Sequence, residues 1–570
     1  MIRFKLVSFR FIACASLAAA ACTSGTSGVS PARTSPEITT ADARSRIYLV
    51  ADDSMLGRQS GTIGNYKMTE YLAREVARLG LEPGGDSGSF FQTVPLVRRA
   101  IDSAATSMTV GNRAISLFTE FVAVRPNRNE QYGLVLSRRP LETIYGGRAG
   151  DSTATLSAAA VAGKMVILDA PLGENGQPSG AYATPGAISV SRYPGAAAIV
   201  IAAFDLVTPA TANAFRNRAN AVAQRAGTPP RPVGFLVTAA VAEEIMGARL
   251  STLTPGRTGA TVTASAAFSD IPVAHPARNV IAIVRGADPQ LRNEYVVIGA
   301  HSDHVGIAAR VVDHDSLRSY YRVMRPEGAQ TRGMQPAQPT PEQWRQIRSS
   351  LDSLRRIRPP RLDSISNGAD DDGSGSVALL EMAEAFASSP RPRRSIVLIW
   401  HTAEEAGLLG STWFTDFPTV PLGAIVAALN MDMVGRGSAI DIAGGGPRYL
   451  QVIGSRRLST DLGDVVDSVN ASSRSPYAID YSWDASGHPM MRYCRSDHYM
   501  YARKGIPIAY FSRGYHPDYH VVTDEPQYIN YEGLANVARF VGAVGTALAN
   551  RNDRPVRDKP VQNPLLPCRQ

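Results

Sequence analysis

Three consecutive aspartates, Asp370, Asp371 and Asp372, lie in the stretch NGADDDGSGSVALLEMAEAF that begins at Asn367. Carboxylates this close repel one another, so the cluster is costly unless cations or hydrogen-bond donors neutralise it. Asp and Ser before an apolar periodic run are also ordinary helix-start residues. The triplet alone therefore leaves two interpretations open, a cation site and a solvated loop that caps a helix.

Four further sets of acidic and histidine residues each follow a continuous apolar run in the second half of the chain. The runs are EYVVIGA, RSIVLIW, GAIVAALN and IPIAYF. With the triplet, the sets make five separate stretches of metal ligands or acid–base groups, which solvation alone does not explain. The pattern favours a metal site. In chain order, the four sets are His301 with Asp303, Glu404 with Glu405, Asp432, and His520.

The types of donor atom predict the metal. Histidine nitrogens and carboxylate oxygens without a thiolate indicate Zn²⁺ or another borderline divalent ion. A bridging carboxylate can hold two such ions about 3.5–4 Å apart, the arrangement used for two-metal hydrolysis. Three ligand carboxylates against two divalent ions leave a single positive charge, which a bridging hydroxide would cancel. We therefore expect two zinc ions per chain, and these cations would offset the repulsion within the triplet.

The elements that must position these residues follow from the apolar pattern. Runs without alternation predict strands buried on both faces, and the helical patterns between them predict an α/β fold with a mostly parallel central sheet flanked by helices. Ligands bind such sheets outside the carboxyl ends of the strands, which is where the candidate residues lie. The stretch NYKMTEYLAREVARLGLEPGG predicts an earlier helix that ends at a Gly-rich turn.

A different composition separates this helix from the strands. Short β-branched runs between about Gly147 and Val262, divided by Gly, Pro and Ala, predict a small β-rich unit with a few helices. The order of GKMVIL, GAAAIVI and a FLVT strand that leads into a helix resembles the protease-associated domain inserted in several exopeptidases. An ordinary α/β subdomain is the alternative interpretation.

Five short motifs carry a family resemblance. AHSDHVG, NGADDDGSG, HTAEEAGLLGS, NMDMVG and DYHVVTDE, in this order, resemble the zinc-dependent exopeptidase family that includes bacterial secreted leucine aminopeptidases and glutamate carboxypeptidase. The resemblance covers about Ser45 to Ala549. It implies that His301 and Asp432 bind one zinc, that Glu405 and His520 bind the other, and that Asp371 bridges the two.

The resemblance also implies catalytic roles. Glu404 would be the general base, which takes a proton from the metal-bound water and later delivers it to the leaving amine. Asp303 would orient His301 and fix its tautomer. Tyr519 would donate a hydrogen bond to the tetrahedral oxyanion, although a tyrosine that only packs at this position is an equal alternative.

Three other histidines are given structural interpretations. We expect His304 to be structural, and His401 to pack at the end of its strand. His516 competes with His520 for the metal, but the family pattern places the ligand in a Tyr-His pair a few residues before an acidic residue, which favours His520.

An arginine-rich insertion separates Asp303 from Asp371. From Ile307 to Asp363, eleven arginines stand against six acidic residues, so this segment supplies about +5 of the net charge of +9. No aromatic-interleaved basic motif accompanies it, and we expect no nucleic-acid partner despite the pI near 9.4. Its part TPEQWRQIRSSLDSLRRIR predicts a capped helix with Pro341 in the first turn. Because it leaves and returns at the metal site, it should overhang the cleft, either as a lid or as a decoration without effect on activity.

The N-terminus predicts export. Arg3, Lys5 and Arg10 precede an apolar run that ends at Cys22, and a Ser/Thr/Gly/Pro tract follows. The protein is therefore expected to be periplasmic or an outer-membrane lipoprotein anchored through Cys22, or to be secreted freely after cleavage near Ala21. In an oxidising compartment, Cys494 and Cys568 could pair.

These features predict the following organisation of the 570 residues. The parts are a signal peptide, of lipoprotein or ordinary type (1–22), a flexible tether (23–44), the N-terminal part of a peptidase domain (45–135), a protease-associated domain (136–262), the zinc peptidase domain (263–549, with the insertion at 307–363) and a C-terminal tail (550–570).

The function expected from the sequence is that of an exported di-zinc aminopeptidase, which hydrolyses N-terminal residues from peptides with a free amino end. A carboxypeptidase or a glutaminyl cyclase on the same fold is the first alternative. A non-catalytic binding protein is the second, and the complete set of ligand residues disfavours it.

Overall fold

The fold comes from a computed structural model that describes residues 34–125, 135–151, 153, 155–173, 176–180, 183, 192–223, 232–329, 338–563 and 568–570. The predicted signal peptide and Cys22 lie outside the described residues. A helix begins at Thr40, inside the segment predicted as a tether, because the Thr39 side chain accepts a hydrogen bond from the Asp42 amide and caps it. The elements below all belong to the unit Ser35–Gln570.

The α-helices of the described residues, labelled in chain order, range from one turn to more than five turns. They are α1 (Thr40–Val50), α2 (Ile63–Arg78), α3 (Ala158–Val161), α4 (Pro209–Ala214), α5 (Ala239–Met246), α6 (His314–Met324), α7 (Pro341–Arg355), α8 (Gly373–Ser388), α9 (Leu409–Asp416), α10 (Thr460–Ser472), α11 (His498–Ala502) and α12 (Tyr531–Asn550).

The strands of the described residues are labelled in the same way. They are β1 (Glu82–Pro83), β2 (Phe91–Val94), β3 (Leu96–Ile101), β4 (Ser107–Val110), β5 (Arg113–Ala114), β6 (Phe121–Val124), β7 (Val135–Leu141), β8 (Thr143–Arg148), β9 (Met165–Asp169), β10 (Ala198–Ala202), β11 (Ala219–Val222), β12 (Val233–Val237), β13 (Val262–Pro272), β14 (Ala277–Val284), β15 (Tyr295–His301), β16 (Gly306–Asp313), β17 (Leu362–Ser366), β18 (Ser395–His401), β19 (Ile425–Met431), β20 (Tyr449–Ile453), β21 (Ala478–Asp480) and β22 (Ile508–Ser512).

A nine-stranded mixed sheet forms the centre of the fold. Its order is β1, β14, β18, β15, β19, β22, β20 and β21, and β2 also pairs with β14. The four strands predicted from the apolar runs, β15, β18, β19 and β22, are parallel neighbours at its middle. Their residues are buried throughout, as expected for strands covered on both faces. The predicted α/β class is confirmed. The sheet is parallel at these four central strands, whereas β14 is antiparallel to β1, β2 and β18, and β20 is antiparallel to β22.

Helices cover both faces of the sheet. On one face, α1, α2, α8 and α12 pack against side chains such as Val296, Ile298 and Leu398. On the other face, α9 and α11 contribute Phe414 and Tyr501 to a second cluster. The alternate residues of each central strand therefore point into one of two apolar cores, and this fixes the register of the strands.

Two smaller sheets lie between β2 and β14 in sequence. One has the order β6, β12, β10, β9 and β8, and its last four strands are parallel. The other has the order β11, β3, β13, β4 and β5, with β7 also paired to β13. The predicted range 136–262 is too narrow for these sheets, since β3, β4 and β6 precede it and β13 continues to Pro272. The likeness to a protease-associated domain stays a prediction.

The arginine-rich insertion is folded. It consists of a two-stranded antiparallel sheet of β16 and β17 that encloses α6 and α7. The predicted helix is α7, with Thr340 and Gln343 forming a capping box and Pro341 in the first turn. The insertion thus begins with β16 at Gly306, three residues after Asp303, and ends with β17 at Ser366, four residues before Asp370.

The C-terminal tail packs back on the protein. Cys568 forms a disulfide with Cys494, which settles the pairing that the sequence left open. Gln570 donates to the carbonyl oxygen of Trp483 and accepts from the Tyr493 amide, at 3.1 and 2.8 Å. Among the described helices, none combines the length and the apolar character needed to cross a membrane.

Candidate metal centre

The parallel strands bring the candidate residues to one edge of the central sheet. His301 is the last residue of β15, Glu404 and Glu405 follow β18 by three and four residues, and Asp432 follows β19 directly. His520 lies on the loop after β22. Because neighbouring parallel strands end at the same edge, residues that are far apart in sequence meet there.

The side chains form two groups of potential metal ligands. In each group, one donor atom per residue lies within 4.8 Å of the donor atoms of the others. The first group is His301, Glu404 and Asp432, and the second is His304, Asp371, Glu405 and His520. The structure therefore brings together every residue that the sequence predicted as a ligand, and adds His304.

Asp371 belongs to the second group and also reaches the first. Its Oδ1 is 3.3 Å from Nε2 of His301, and its Oδ2 is 2.9 Å from Nε2 of His520. Glu405 completes the second group, since its Oε2 is also 2.9 Å from His520 Nε2. Asp432 Oδ1 lies 3.8 Å from His301 Nε2. The two oxygens of one carboxylate thus face two different histidines, the arrangement that a bridging ligand requires.

The donor atoms fit a divalent cation. Both groups offer only imidazole nitrogens and carboxylate oxygens, the set that suits zinc. The Nε2 atoms of His301 and His304 are buried and make no hydrogen bond within the described part of the chain. A buried polar atom without a partner costs free energy that a bound cation would recover. The residues present therefore fit the metal that the sequence predicts.

The backbone around Asp371 is held from two sides. The guanidinium of Arg58, which is 1% exposed, donates to the carbonyl oxygens of Gly368 and Ser302 at 2.8 and 3.3 Å. In addition, Asp524 Oδ2 accepts hydrogen bonds from the amides of Asp370 and Asp371, at 3.0 and 3.1 Å. These contacts position the backbone of Asp371 without touching its carboxylate.

The neighbours of Asp371 in the triplet also have structural tasks. Asp372 caps α8 and accepts hydrogen bonds from the amides of His301 and Met433, at 3.0 and 3.2 Å. Asp370 accepts from the Gly435 amide at 2.6 Å. The peptide bond between Asp371 and Asp372 is cis. Both outer carboxylates therefore tie the triplet to the ends of β15 and β19, while the middle one faces the donor groups.

Glu404 is presented by a constrained turn. Ala403, which precedes it, has a φ of 56°, a left-handed conformation that is rare for a residue with a side chain. The Glu404 amide donates to Asp303 Oδ1 at 3.0 Å, and Ser60 Oγ donates to the other oxygen of Asp303 at 2.6 Å. Burial raises the pKa of Glu404 well above its usual range, and the nearby Glu405 carboxylate adds to this rise. Such a carboxylate is suited to accept a proton.

Asp303 contacts His301 in an unexpected way. The Nδ1 atom of His301 lies 3.0 Å from the backbone carbonyl oxygen of Asp303, whereas the Asp303 carboxylate is 3.8 Å away. The carbonyl oxygen can only accept, so Nδ1 carries the proton and Nε2 is free for a metal. The tautomer of His301 is thus fixed by the main chain, and the carboxylate of Asp303 supports Glu404 instead.

The loop after β22 presents Tyr519 and His520. His520 has a φ of 58°, and the Tyr519 ring stacks on its imidazole with 3.9 Å between the ring centroids. Burial, together with Tyr515 and the Asp371 carboxylate, raises the pKa of Tyr519 well above its usual range, so its hydroxyl keeps its proton. Tyr519 therefore lies beside the second group as a neutral phenol.

The remaining histidines differ in their positions. His516 Nε2 is 3.1 Å from Asp370 Oδ2 and lies outside both groups, so His520 is the histidine in the metal-ligand position. His401 Nε2 is 3.2 Å from the Tyr501 hydroxyl at the end of β18, as expected for a packed residue. His304 was expected to be structural, but its Nδ1 is 3.0 Å from Glu405 Oε1 and 3.5 Å from Asp371 Oδ2.

Several residues that build the site carried no recognisable signal in the sequence. Arg58 and Ser60 lie more than 240 residues before the Ser302 and Asp303 atoms that they contact. Asp524 belongs to the quoted motif DYHVVTDE, but nothing in the spacing showed that it would accept the amides of the triplet. For His304, the second histidine of AHSDHVG three residues after His301 was the available signal.

Comparison with known proteins places this region in a family. Residues 279–545 match the model described as Peptidase family M28. The matched segment is 267 of the 570 residues long, and it is similar to that family. Both donor groups lie inside the M28 segment, and the zinc-dependent exopeptidase resemblance is confirmed by this match.

Curated relatives share parts of the M28 segment with the chain. Leucine aminopeptidase 1 of Arthroderma otae is 27% identical over 195 residues, which are 32% of this chain and 48% of that protein. Probable glutamate carboxypeptidase AMP1 of Arabidopsis thaliana is 42% identical over 91 residues, 15% of this chain and 13% of that protein. The chain thus spans about half the length, or less, of these relatives, which include both an aminopeptidase and a probable carboxypeptidase.

Solved structures of bacterial enzymes are also similar. The aminopeptidase from Aneurinibacillus sp. strain AM-1 is 17% identical with a TM-score of 0.43, over 92% of this chain and 98% of that one. A zinc aminopeptidase from Bacillus subtilis is 17% identical with a TM-score of 0.40, over 90% of this chain and 95% of that one.

Proposed function

We propose that the protein is an exported metallo-aminopeptidase, which binds two zinc ions around Asp371 and removes residues from the free amino end of peptides. The observation that carries this proposal is the position of Asp371, whose two carboxylate oxygens face His301 on one side and His520 on the other. We propose His301, Asp432 and Asp371 as ligands of the first ion, and Glu405, His520 and Asp371 as ligands of the second.

When bound, the zinc ions would polarise the scissile carbonyl and lower the pKa of the attacking water. The chain's own residues supply the proton transfers. A carboxylate oxygen of Glu404 takes a proton from the attacking water and delivers it to the nitrogen of the leaving amine. Asp303 holds the Glu404 backbone in place for both steps through the hydrogen bond that it accepts at 3.0 Å.

Tyr519 is proposed to donate a hydrogen bond to the oxygen that gains negative charge during attack. Its phenol lies next to His520, and its pKa is far above neutrality because of burial and the neighbouring Tyr515 and Asp371. A neutral hydroxyl aimed at a developing oxyanion is worth about 3–4 kcal/mol in comparable sites. Tyr519→Phe should therefore lower kcat with little change in KM.

Export is proposed from the basic and apolar N-terminal pattern that ends at Cys22. The disulfide between Cys494 and Cys568 supports it, because structural disulfides persist in oxidising compartments. Expression in a cell with intact export, followed by fractionation and mass spectrometry of the N-terminus, tests it. A mature chain that begins at Cys22 with attached lipid would identify an anchor, whereas an intact Met1 would refute export.

The test of the activity compares peptides with free and with blocked amino ends, using the mature protein loaded with zinc. Cleavage only of the free-amino peptides, one residue at a time from that end, is expected. Glu404→Gln should abolish cleavage while the zinc content stays at the wild-type value, and Glu142→Gln, an exposed position outside the M28 segment, is the matched control.

Other results of the same assays would indicate a different function. Release of C-terminal residues from blocked peptides would show a carboxypeptidase, which the Arabidopsis relative brings into consideration. Release of ammonia from N-terminal glutamine without peptide cleavage would show a cyclase. Zinc binding without turnover of any of these substrates would favour a binding protein.

A further inference from the structure

The arginine-rich insertion has its own internal framework. Asp315 on α6 is 1% exposed, and it forms ion pairs with Arg355, Arg358 and Arg361 at 3.3, 2.7 and 3.0 Å. These pairs tie α6 to the end of α7 and to the start of β17. Much of the positive charge that marks this segment in the sequence is therefore used inside the insertion, and α6 is held rigidly.

From this framework, Arg318 on α6 reaches the loop that carries His520. Its Nε and Nη2 atoms donate to the two oxygens of Asp518, at 3.1 and 3.4 Å, and its guanidinium lies 3.5 Å from the centre of the Tyr528 ring. Asp518 is 0% exposed and also accepts from Arg436 and Thr523, at 3.0 and 2.8 Å. A paired arginine–carboxylate contact of this kind fixes both distance and orientation.

The turn after α6 makes a second contact with the same loop. The Ala329 amide donates to the carbonyl oxygen of Tyr519 at 3.2 Å. Gly328 has a φ of +54°, and a Cβ atom there would lie 2.6 Å from the Tyr519 carbonyl oxygen and 2.9 Å from that of His516. Only glycine allows this close approach. The insertion thus contacts the loop through hydrogen bonds to Asp518 and Tyr519, the two residues just before His520.

We propose that the insertion is a brace for the second metal position, in which Arg318 and Gly328 are positioning residues for His520 and Tyr519. This rests on the proposed pair of cations. The first position has no such need, because His301 ends β15 and Asp432 follows β19 directly. Loss of the brace should therefore lower the affinity of the second position for zinc and leave that of the first unchanged. A general loss of stability would lower both affinities.

The test is a zinc titration of metal-free protein against a chromogenic chelator, which resolves the two binding steps without any need for activity. His520→Ala identifies the step that belongs to the second position. In Arg318→Ala, the zinc affinity of this step should fall about 10-fold or more, which is the usual effect of losing a residue that orients a metal ligand. Arg318→Lys, which keeps the charge but cannot make the paired contact, should recover part of the affinity.

Gly328→Ala tests the second contact and should weaken the same step. Two variants serve as matched controls. Arg345→Ala removes an exposed arginine of the same insertion, whose ion pair is with Glu342 on its own helix. Gly163→Ala places alanine at a φ of +70° with no atom within 4 Å of the new Cβ, and so measures conformational strain alone. Both controls should keep both steps at wild-type affinity.

Selective weakening of the second step in Arg318→Ala and Gly328→Ala would establish the brace. Unchanged steps in both variants, or an equal weakening of both steps, would overturn it. If Arg318→Ala does not fold, Arg318→Lys and Gly328→Ala decide the question in the same way. A wild-type protein that binds fewer than two zinc ions would instead refute the proposed function itself, so the two failures can be told apart.

Discussion

The two halves of the proposed metal centre are built in different ways. The first half, His301 and Asp432, stands at the ends of two parallel strands whose residues are buried on both faces. The second half depends on His520, which lies eight residues beyond β22 at a φ of 58°. Strand ends need no further support, whereas a ligand on a loop needs contacts from elsewhere, and the arginine-rich insertion supplies these through Arg318 and Ala329.

Asp371 belongs to both halves, and its replacement should have the largest effect on the centre. In Asp371→Ala, both ions lose a ligand, so the zinc content should fall from two ions to fewer than one after dialysis, and peptidase activity should fall about a thousand-fold or more. Elemental analysis and a peptide assay measure these changes. Asp464→Ala, at an exposed position, is the matched control. A variant that keeps both ions would show that Asp371 is not the bridge.

Asp524 supports the bridge through the backbone, so its replacement should have an intermediate effect. Both oxygens of Asp524 accept from the triplet, Oδ1 from the Asp370 amide and Oδ2 from the amides of Asp370 and Asp371. Asp524→Asn keeps the size of the side chain but replaces one of these two acceptors by an NH₂ donor. The affinity for zinc should fall about 10- to 100-fold, as for other residues that orient ligands. Because the triplet serves both halves, both titration steps should weaken. Weakening of one step alone would mean that Asp524 acts on the loop and not on the bridge.

Acid should destabilise the loop that carries His520, because protonation of Asp518 removes the charge that pairs with Arg436 and Arg318. Burial alone would raise the pKa of Asp518, but Arg436 and Arg318 outweigh it and lower the pKa to about 2. A lowered pKa gives stability that is present above the unfolded value near 3.8 and is lost as the pH falls toward 2. This contribution is on the order of 2 kcal/mol, from about 1.4 kcal/mol per pKa unit.

Urea unfolding of the wild type and of Asp518→Asn at a series of pH values measures this contribution. The wild type should be more stable at pH 7, and the difference between the two proteins should shrink as the pH falls below about 4. A difference that stays constant down to pH 3 would contradict the assigned shift, and a variant more stable than the wild type at pH 7 would contradict the brace.

The disulfide should affect the centre least, although it affects the whole fold. Replacing both Cys494 and Cys568 by Ser removes a link across 74 residues, which should lower the free energy of unfolding by about 2–4 kcal/mol. Neither half of the centre depends on this link, so both zinc steps should keep their affinity. A selective loss of either ion would show that the tail takes part in positioning the ligands.

The same contrast explains what the sequence could predict. His301, Glu404, Glu405 and Asp432 follow apolar runs that are recognisable as buried strands, and parallel strands bring their ends to one edge by necessity. His520 also follows an apolar run, but at a distance, and the choice of His520 over His516 came from the family motif. The contacts that hold its loop could not be predicted from the sequence. Arg318 lies 200 residues before Asp518, and no local pattern encodes such a pairing.

The inserted regions show the same limit. The capped helix α7 was predictable because its capping box and Pro341 are local signals. The role of the insertion was left between a lid and a decoration, since that depends on which surface α6 meets. The range of the two smaller sheets was also too narrow, because β3, β4 and β6 are short strands whose partners lie more than a hundred residues away.

The central claim is that two cations share Asp371, and anomalous diffraction at the zinc edge from crystals of the zinc-loaded protein tests it most directly. The account predicts two peaks of similar height about 3.5–4 Å apart, one beside His301 and Asp432 and one beside Glu405 and His520, with the Asp371 carboxylate between them. A single peak, or two peaks that do not both contact Asp371, would contradict it.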